Sequence, residues 1–213
     1  TRCLESLYRV MKKLGMLPKK PKKATYKPKP YEQMTYPGER VQVDVKVVPR
    51  KCIADPEMKL YQYTAIDEYT RIRFLYGYEE QSTYSSADFV KRLVKWYKRR
   101  RITVKCIQTD NGFEFTNRFS PSKRDKKTLF ENTLSQLGIE HKLIRPYTPR
   151  HNGKVERSHR EDHNKFYSCH RFYSCDDLNV QLAARLSRTN NRPMRPLKWF
   201  SPIEFLNNSV QYD

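Results

Sequence analysis

Several patterns are missing from this sequence, and each absence narrows what the chain can be. No apolar run approaches the roughly 20 residues that a membrane-spanning helix needs, and no secretory signal opens the chain. A membrane protein is therefore not expected. The five cysteines, Cys3, Cys52, Cys106, Cys169 and Cys175, are odd in number and follow no framework spacing. They read as reduced thiols of an intracellular protein, not as disulfide staples. No internal repeat is visible, which argues against a solenoid. From Pro18 to Pro30 the chain holds four prolines and six lysines without one acid, the composition of an extended basic linker. The first residue is Thr1, not Met, so the sequence is expected to be cut from something longer.

What is present begins with size. At 213 residues, 37% hydrophobic and 13% aromatic, the chain can build one domain of ordinary size plus an appendage. Lys and Arg number 43 against 23 Asp and Glu, a formal charge of +20. Such an excess draws polyanions through counterion release, and nucleic acid is a better account of it than a merely solvated surface. Charge alone says nothing about chemistry.

Composition and periodicity divide the chain into three parts. Residues 1–16 carry a helix with Leu4, Leu7, Tyr8, Met11 and Leu14 on one stripe and Gly15 as its stop. Residues 17–35 are the basic Lys/Pro linker, and 36–213 a globular core. Within the core, Arg40–Val48 alternates with the period of a strand. Tyr61–Asp67 and Ile72–Tyr78 predict an antiparallel pair across the turn Asp67-Glu68-Tyr69-Thr70. A helix is predicted over Ser85–Lys98 with Phe89, Val90, Leu93, Val94 and Tyr97 inward, then a buried strand Val104–Gln108. A second helix, Lys127–Leu137, ends at Gly138, and Ile139–Ile144 is a fifth strand. Long helices from Asn152 to Phe166 and from Asp176 to about Thr189 complete the α/β pattern of a mixed sheet covered by helices.

Three acids stand out. Asp44 lies mid-strand among Val41, Val43, Val45 and Val47, where an acid is disfavoured unless it is paired or coordinates something. Its period places it on the opposite, more polar face. Asp110 follows a buried strand on the turn Thr109-Asp110-Asn111-Gly112, at the sheet's carboxyl edge where ligands commonly bind. Taken singly, the first reads equally as a surface acid and the second as turn material. Glu156 lies one turn into a helix with a basic entry, where a glutamate ordinarily complements the helix dipole. Together, strand Asp, strand-end Asp and helix Glu supply the hard oxygen ligands of a two-metal phosphoryl-transfer site for Mg²⁺ or Mn²⁺.

The three blocks resemble a known family. Asp44 in its valine-rich strand, Thr109-Asp110-Asn111-Gly112-x-Glu114-Phe115, and Pro146-Tyr147-Thr148-Pro149-x-x-Asn152-Gly153-x-x-Glu156-Arg157 are similar to the DDE signature of insertion-sequence transposases in the retroviral-integrase superfamily. The resemblance runs from about Tyr36 to Asn207 and includes Ser201-Pro202. It implies an RNase H-like fold with a five-stranded mixed sheet, and DNA strand transfer with two Mg²⁺ or Mn²⁺ ions on Asp44, Asp110 and Glu156. It also implies nicking at the element's 3′ ends, joining to double-stranded target DNA, and a bacterial cytoplasmic or nucleoid setting. The helix over residues 1–16 resembles the last helix of a truncated helix-turn-helix unit. One departure is that 45 residues separate Asp110 from Glu156, a longer gap than is commonest in that superfamily. The extra length is assigned to the polar stretch Asn117–Lys127.

Other residues carry weaker expectations. Asn152, Lys154, Arg157 and Arg160 surround Glu156 and are expected to grip DNA phosphates. Asp67 reads mainly as turn chemistry with a metal role as the lesser reading, and Glu114 as supportive. His159, His163, Cys169 and Cys175 fit no strong zinc spacing. Lys98-Arg99-Arg100-Arg101 is either a phosphate patch or a basic helix cap. A homodimer is attractive because two DNA ends must be handled together. The competing functions are a metal nuclease that only hydrolyses and a non-catalytic, domesticated DNA-binding protein.

Overall fold

The computed structural model describes residues 3–17, 32–122, 126–145 and 152–210. Most of the expected basic linker, residues 123–125 and the motif residues 146–151 lie outside the described residues. The chain divides into two units, 1–32 and 33–213, each taken by itself.

In the first unit, α1 spans Leu4–Lys13. Gly15 stops it with φ +70°, while its N–H reaches Lys12 O at 3.2 Å and Met16 N reaches Met11 O at 3.0 Å. That pair of bonds closes a helix around a left-handed glycine.

The second unit is built on a five-stranded sheet in the order β3-β2-β1-β4-β5. Its strands are β1 (Val41–Val47), β2 (Tyr61–Asp67), β3 (Arg73–Tyr78), β4 (Cys106–Thr109) and β5 (Glu140–Leu143). β1, β2 and β3 pair antiparallel, whereas β4 lies parallel to β1 and β5 parallel to β4. This is the RNase H-like arrangement. The period of two in β1 works as the sequence predicts. Val41 and Val43 are fully buried on one face, and Gln42 and Asp44 turn to the other.

The β2–β3 turn is held by Asp67, whose carboxylate accepts from Gly38 N at 2.8 Å, Thr70 N at 2.7 Å and Thr70 Oγ1 at 2.6 Å. Asp67 is fully buried in this turn work. α2 (Thr83–Lys98) begins two residues before the sequence expectation because Ser82 caps it, accepting from Ser85 N at 3.1 Å. Phe89, Val90, Leu93 and Tyr97 fill the core beneath it. α3 (Leu129–Gln136) begins two residues late for the same kind of reason, because Thr128 and Glu131 form a reciprocal capping box.

α5 (Cys175–Asn190) runs along the edge strand β3. Asn179 binds both backbone groups of Gly77, and Asn190 binds both of Arg73. The two amides satisfy edge groups that would otherwise template pairing with another chain. Gly77 permits this approach, since a Cβ there would stand 2.6 Å from Leu178 Cδ2. A final helix, α6 (Pro202–Val210), lay outside the sequence expectation. Ser201 and Glu204 cap it reciprocally, with Pro202 as its first residue.

Candidate catalytic site

The site is built where α4 (Gly153–Asp162) crosses the polar face of β1 and β2. Its N-cap Asn152 makes no side-chain capping bond, and Gln42 from β1 does that work instead. Gln42 Oε1 accepts from Lys154 N and Val155 N, each at 3.2 Å. One turn on, His159 Nε2 meets Thr64 Oγ1 at 3.0 Å and its Nδ1 lies 3.4 Å from Asp44 Oδ2. At the helix end, buried Asp162 takes Arg73 Nη2 at 2.5 Å, Gln62 Nε2 at 3.0 Å and Arg185 Nε at 3.1 Å. The helix then widens into a π turn over His163–Tyr167 and buries Phe166 and Tyr167. The expected straight helix to Phe166 is thus interrupted where Asp162 is pulled into the sheet.

This inward stripe leaves Glu156 exposed on the flank of α4. Asp44 is on β1, opposite Thr64 of β2. In the parallel ladder Val41 pairs with Ile107 and Gln42 with Gln108, and two further steps bring Asp44 level with Asp110 just past β4. Asp44 Oδ1 accepts from Val45 N at 2.9 Å and Asp110 Oδ1 from Gly112 N at 3.0 Å.

The acids feel one another. Burial raises the Asp110 carboxyl above the usual aspartate range; the Gly112 amide opposes this and the Asp44 charge adds to it. Glu156 is raised by burial and by Asp44 and Asp110, with His159 and Arg160 pulling the other way. Among the described residues, no three of His, Cys, Asp and Glu converge closely enough to hold one ion.

A family model described as integrase core domain matches residues 35–149, and a second with the same description matches residues 137–202. The chain belongs to the integrase core domain family. A putative integrase, ORF3, of Spiroplasma virus SpV1-C74 is 32% identical over 173 residues, covering 79% of this chain and 47% of that protein. A putative transposase for insertion sequence element IS5376 of Geobacillus stearothermophilus is 29% identical over 170 residues, 80% of this chain and 42% of that protein. The chain therefore spans under half the length of these relatives. Among solved structures, the catalytic core domain of BIV integrase aligns with a TM-score of 0.57 at 20% identity, over 83% of this chain and 99% of that one. A chain of the simian T-cell lymphotropic virus intasome, in complex with PP2A regulatory subunit B56 gamma, gives 0.55 at 17% identity, over 75% of this chain and 50% of that one. These likenesses carry the fold.

Within this integrase core, the residues singled out around Glu156 separate into two kinds. Arg157 and Arg160 are exposed. Lys154 instead places Nζ 2.5 Å from Glu68 Oε2, in a buried cluster where Glu68 also takes Arg40 Nε at 2.8 Å and Gln42 Nε2 at 3.0 Å. Asn152 is 2% exposed, and its Oδ1 has no partner among the described residues.

Glu114 is buried, with Oε1 accepting from Gln81 Nε2 at 2.7 Å. Burial raises its carboxyl, and the charges of Asp110 and Asp44 add to the shift. The zinc candidates do not gather: Cys169 contacts His170 and Phe166 O, and Cys175 contacts Gly77 O. In the basic run after α2, Arg100 stacks 3.4 Å over Trp96 and donates to Trp96 O at 3.2 Å, closing the helix end. Sequence reasoning missed the Gln42–Glu68–Arg40–Lys154 cluster and the bridge made by His159. Period two did place Gln42 and Asp44 on one face, but the partners lie 26 to 115 residues away in sequence.

Proposed function

We propose that this chain is the catalytic core of a DNA transposase, nicking the 3′ ends of an insertion element and joining them to double-stranded target DNA. The feature that carries the reading is the placement of Asp44 on β1 and of Asp110 just past the adjacent parallel strand β4, with Glu156 on α4 and raised by the charge of both. The names of the relatives, an integrase and an insertion-sequence transposase, support it.

The donor set fits Mg²⁺ or Mn²⁺. The charge of Asp44 raises the proton affinity of Asp110 and of Glu156, and a divalent cation on these hard oxygens would relieve that repulsion. Asp44, Asp110 and Glu156 would hold the two ions, which activate a water or 3′-hydroxyl and stabilise the leaving oxygen. The chain's own residues supply the positioning. His159 and Val45 N fix the two oxygens of Asp44, and Gly112 N fixes one of Asp110. Arg157 and Arg160 stand beside Glu156 to take flanking phosphates. Lys154, turned inward onto Glu68, holds the helix entry, Asn152 is buried there, and any DNA contact they make is secondary.

Two element ends handled together favour a homodimer acting in the bacterial cytoplasm or nucleoid. Among the described residues, no helix is long and apolar enough to cross a membrane. The test is a strand-transfer gel with labelled candidate element ends, target duplex and Mn²⁺. Joined products that disappear in Glu156→Gln support the reading. Hydrolysis without joining would make the chain a nuclease, and DNA binding with neither would make it a binding protein.

A further inference from the structure

From Leu178 to Ile203 the sequence has no acid and five cations, Arg185, Arg188, Arg192, Arg195 and Lys198. Arg185 is spent on Asp162 and Arg192 on Glu161, the latter at 2.6 Å. Arg188, Arg195 and Lys198 are exposed and pair with no carboxylate among the described residues. In the middle of this segment the chain forms a closed turn. Met194 N donates to Phe200 O at 3.1 Å across its neck, and Met194 O accepts from both Leu197 N and Trp199 N at 3.0 Å. Leu197 is buried and plugs the turn into the core. Its tip does the opposite.

At that tip two consecutive non-glycine residues are left-handed, Lys198 at φ 53° and Trp199 at φ 69°. A bulky side chain there is disfavoured, and such outliers cluster at ligand clamps and functional sites. The strain does not serve packing, because Trp199 is 69% exposed. Glycine or asparagine would make the turn without strain. A hydrogen-bonded turn that holds an indole out into solvent between exposed Arg195 and Lys198 in the sequence has the chemistry of a nucleic-acid stacking platform: cations for phosphates and a π-face for a base.

We infer that the Met194–Phe200 turn is a DNA contact in which Trp199 stacks on an unstacked base while Arg195 and Lys198 meet the adjoining phosphates. The inference rests on the proposed DNA-handling function and adds a site outside the three acids. Phe205 of α6 rests on Tyr69 of the β2–β3 turn, 5.4 Å between ring centroids. Tyr69 lies at the end of the sheet opposite Asp110, so the site would touch DNA away from the reacting phosphodiester. The Arg192–Glu161 pair joins the segment to α4, so a contact made here bears on the helix that carries Glu156.

The sequence contains only two tryptophans, Trp96 and Trp199, which makes the test direct. The full chain, Trp199→Phe and Trp199→Gly are titrated with a 30-base-pair duplex, with and without a single-stranded overhang, following tryptophan emission and, separately, the anisotropy of labelled DNA. We expect DNA to quench the emission that Trp199→Phe lacks. Trp199→Gly should bind at least about fivefold more weakly, the lower end of one base-stacking contact. Its Tm should be unchanged or higher, because glycine relieves the left-handed strain.

Wild-type affinity in Trp199→Gly, or unaltered Trp199 emission at saturating DNA, overturns the inference. So does concentration-dependent quenching without DNA, which would make the occupant a second copy of the chain. If the wild type binds and joins DNA while Trp199 stays silent, this inference alone fails. If the wild type binds no duplex at all, the proposed function fails with it.

Discussion

The imidazole of His159 stands between two strands' side chains, its Nδ1 3.4 Å from Asp44 Oδ2 and its Nε2 3.0 Å from Thr64 Oγ1. Thr64 and Asp44 are cross-strand partners, so one ring from α4 reads the register of β1 against β2. In the tautomer in which the Thr64 hydroxyl donates to Nε2, the proton on Nδ1 faces the Asp44 carboxylate and orients it. His159 is therefore a positioning residue for Asp44. His159→Ala should weaken Mn²⁺ binding by roughly 10- to 100-fold, the usual cost of removing a partner that orients a metal ligand. Titration calorimetry on the folded variant measures this without activity. Unchanged Mn²⁺ affinity would reduce His159 to a packing residue.

Glu156 and its basic neighbours should separate chemistry from binding. Glu156→Gln removes a negative charge from a surface that meets phosphates, so DNA affinity should stay equal or rise slightly while nicking and joining vanish. Arg157→Ala and Arg160→Ala should weaken binding across sequences and flatten the salt dependence by about one unit for each phosphate lost. Isotherms at several salt concentrations beside cleavage gels decide it. Full Mn²⁺-dependent cleavage by Glu156→Gln would mean that another acid does the work.

Lys154 should behave unlike its neighbours. Its amine sits on buried Glu68, so Lys154→Ala removes one of the three donor side chains that, among the described residues, meet a carboxylate with no exposed side-chain surface. A loss of about 1.5–3 kcal/mol is expected, the value of a hydrogen bond to a charged group. Arg157→Ala, an exposed change, should stay within about 0.5 kcal/mol. Urea unfolding of the two variants compares them directly, and equal stabilities would contradict the buried role.

The division between what the sequence showed and what it hid follows from distance along the chain. β1 was legible because Val41, Val43 and Asp44 obey a local period of two, and α2 because Phe89, Val90, Leu93 and Tyr97 repeat at helical spacing. The three acids stand out in the sequence because each sits in its own short motif, and their role as metal ligands is the proposal made above. The buried partners of α4 were not, since Gln42, Thr64, Glu68 and Arg73 meet Lys154, His159 and Asp162 only once the sheet has formed. Arg157 and Lys154 look alike in sequence, and only the fold sends one outward and the other to Glu68. The start of α6 was a readable signal that went unread, because Ser201-Pro202-Ile203-Glu204 has the spacing of a capping box.

Asp162 provides the last test, and its pH dependence has a definite sign. Burial pushes its carboxyl up, but the charge and hydrogen bonds of Arg73, with help from Gln62 and Arg185, hold it below the usual aspartate range. A depressed carboxyl contributes stability that is fully present above its unfolded pKa of about 3.9 and is lost as pH falls through the lower folded value. Asp162→Asn leaves two arginines buried without their shared anion, which should cost about 3–5 kcal/mol near neutral pH. For a domain of this size that lowers Tm by on the order of 10 °C. Below about pH 4 the unfolded chain's carboxyl takes up a proton first and the folded one follows at lower pH, where it comes to resemble the amide, so the stability gap between the two proteins should narrow as pH is lowered further. Urea midpoints of both proteins from pH 7 downward measure the gap. Because other buried acids titrate alike in both, the difference isolates Asp162. A gap that stays constant into the acid range would show that its charge does not anchor α4 to the sheet.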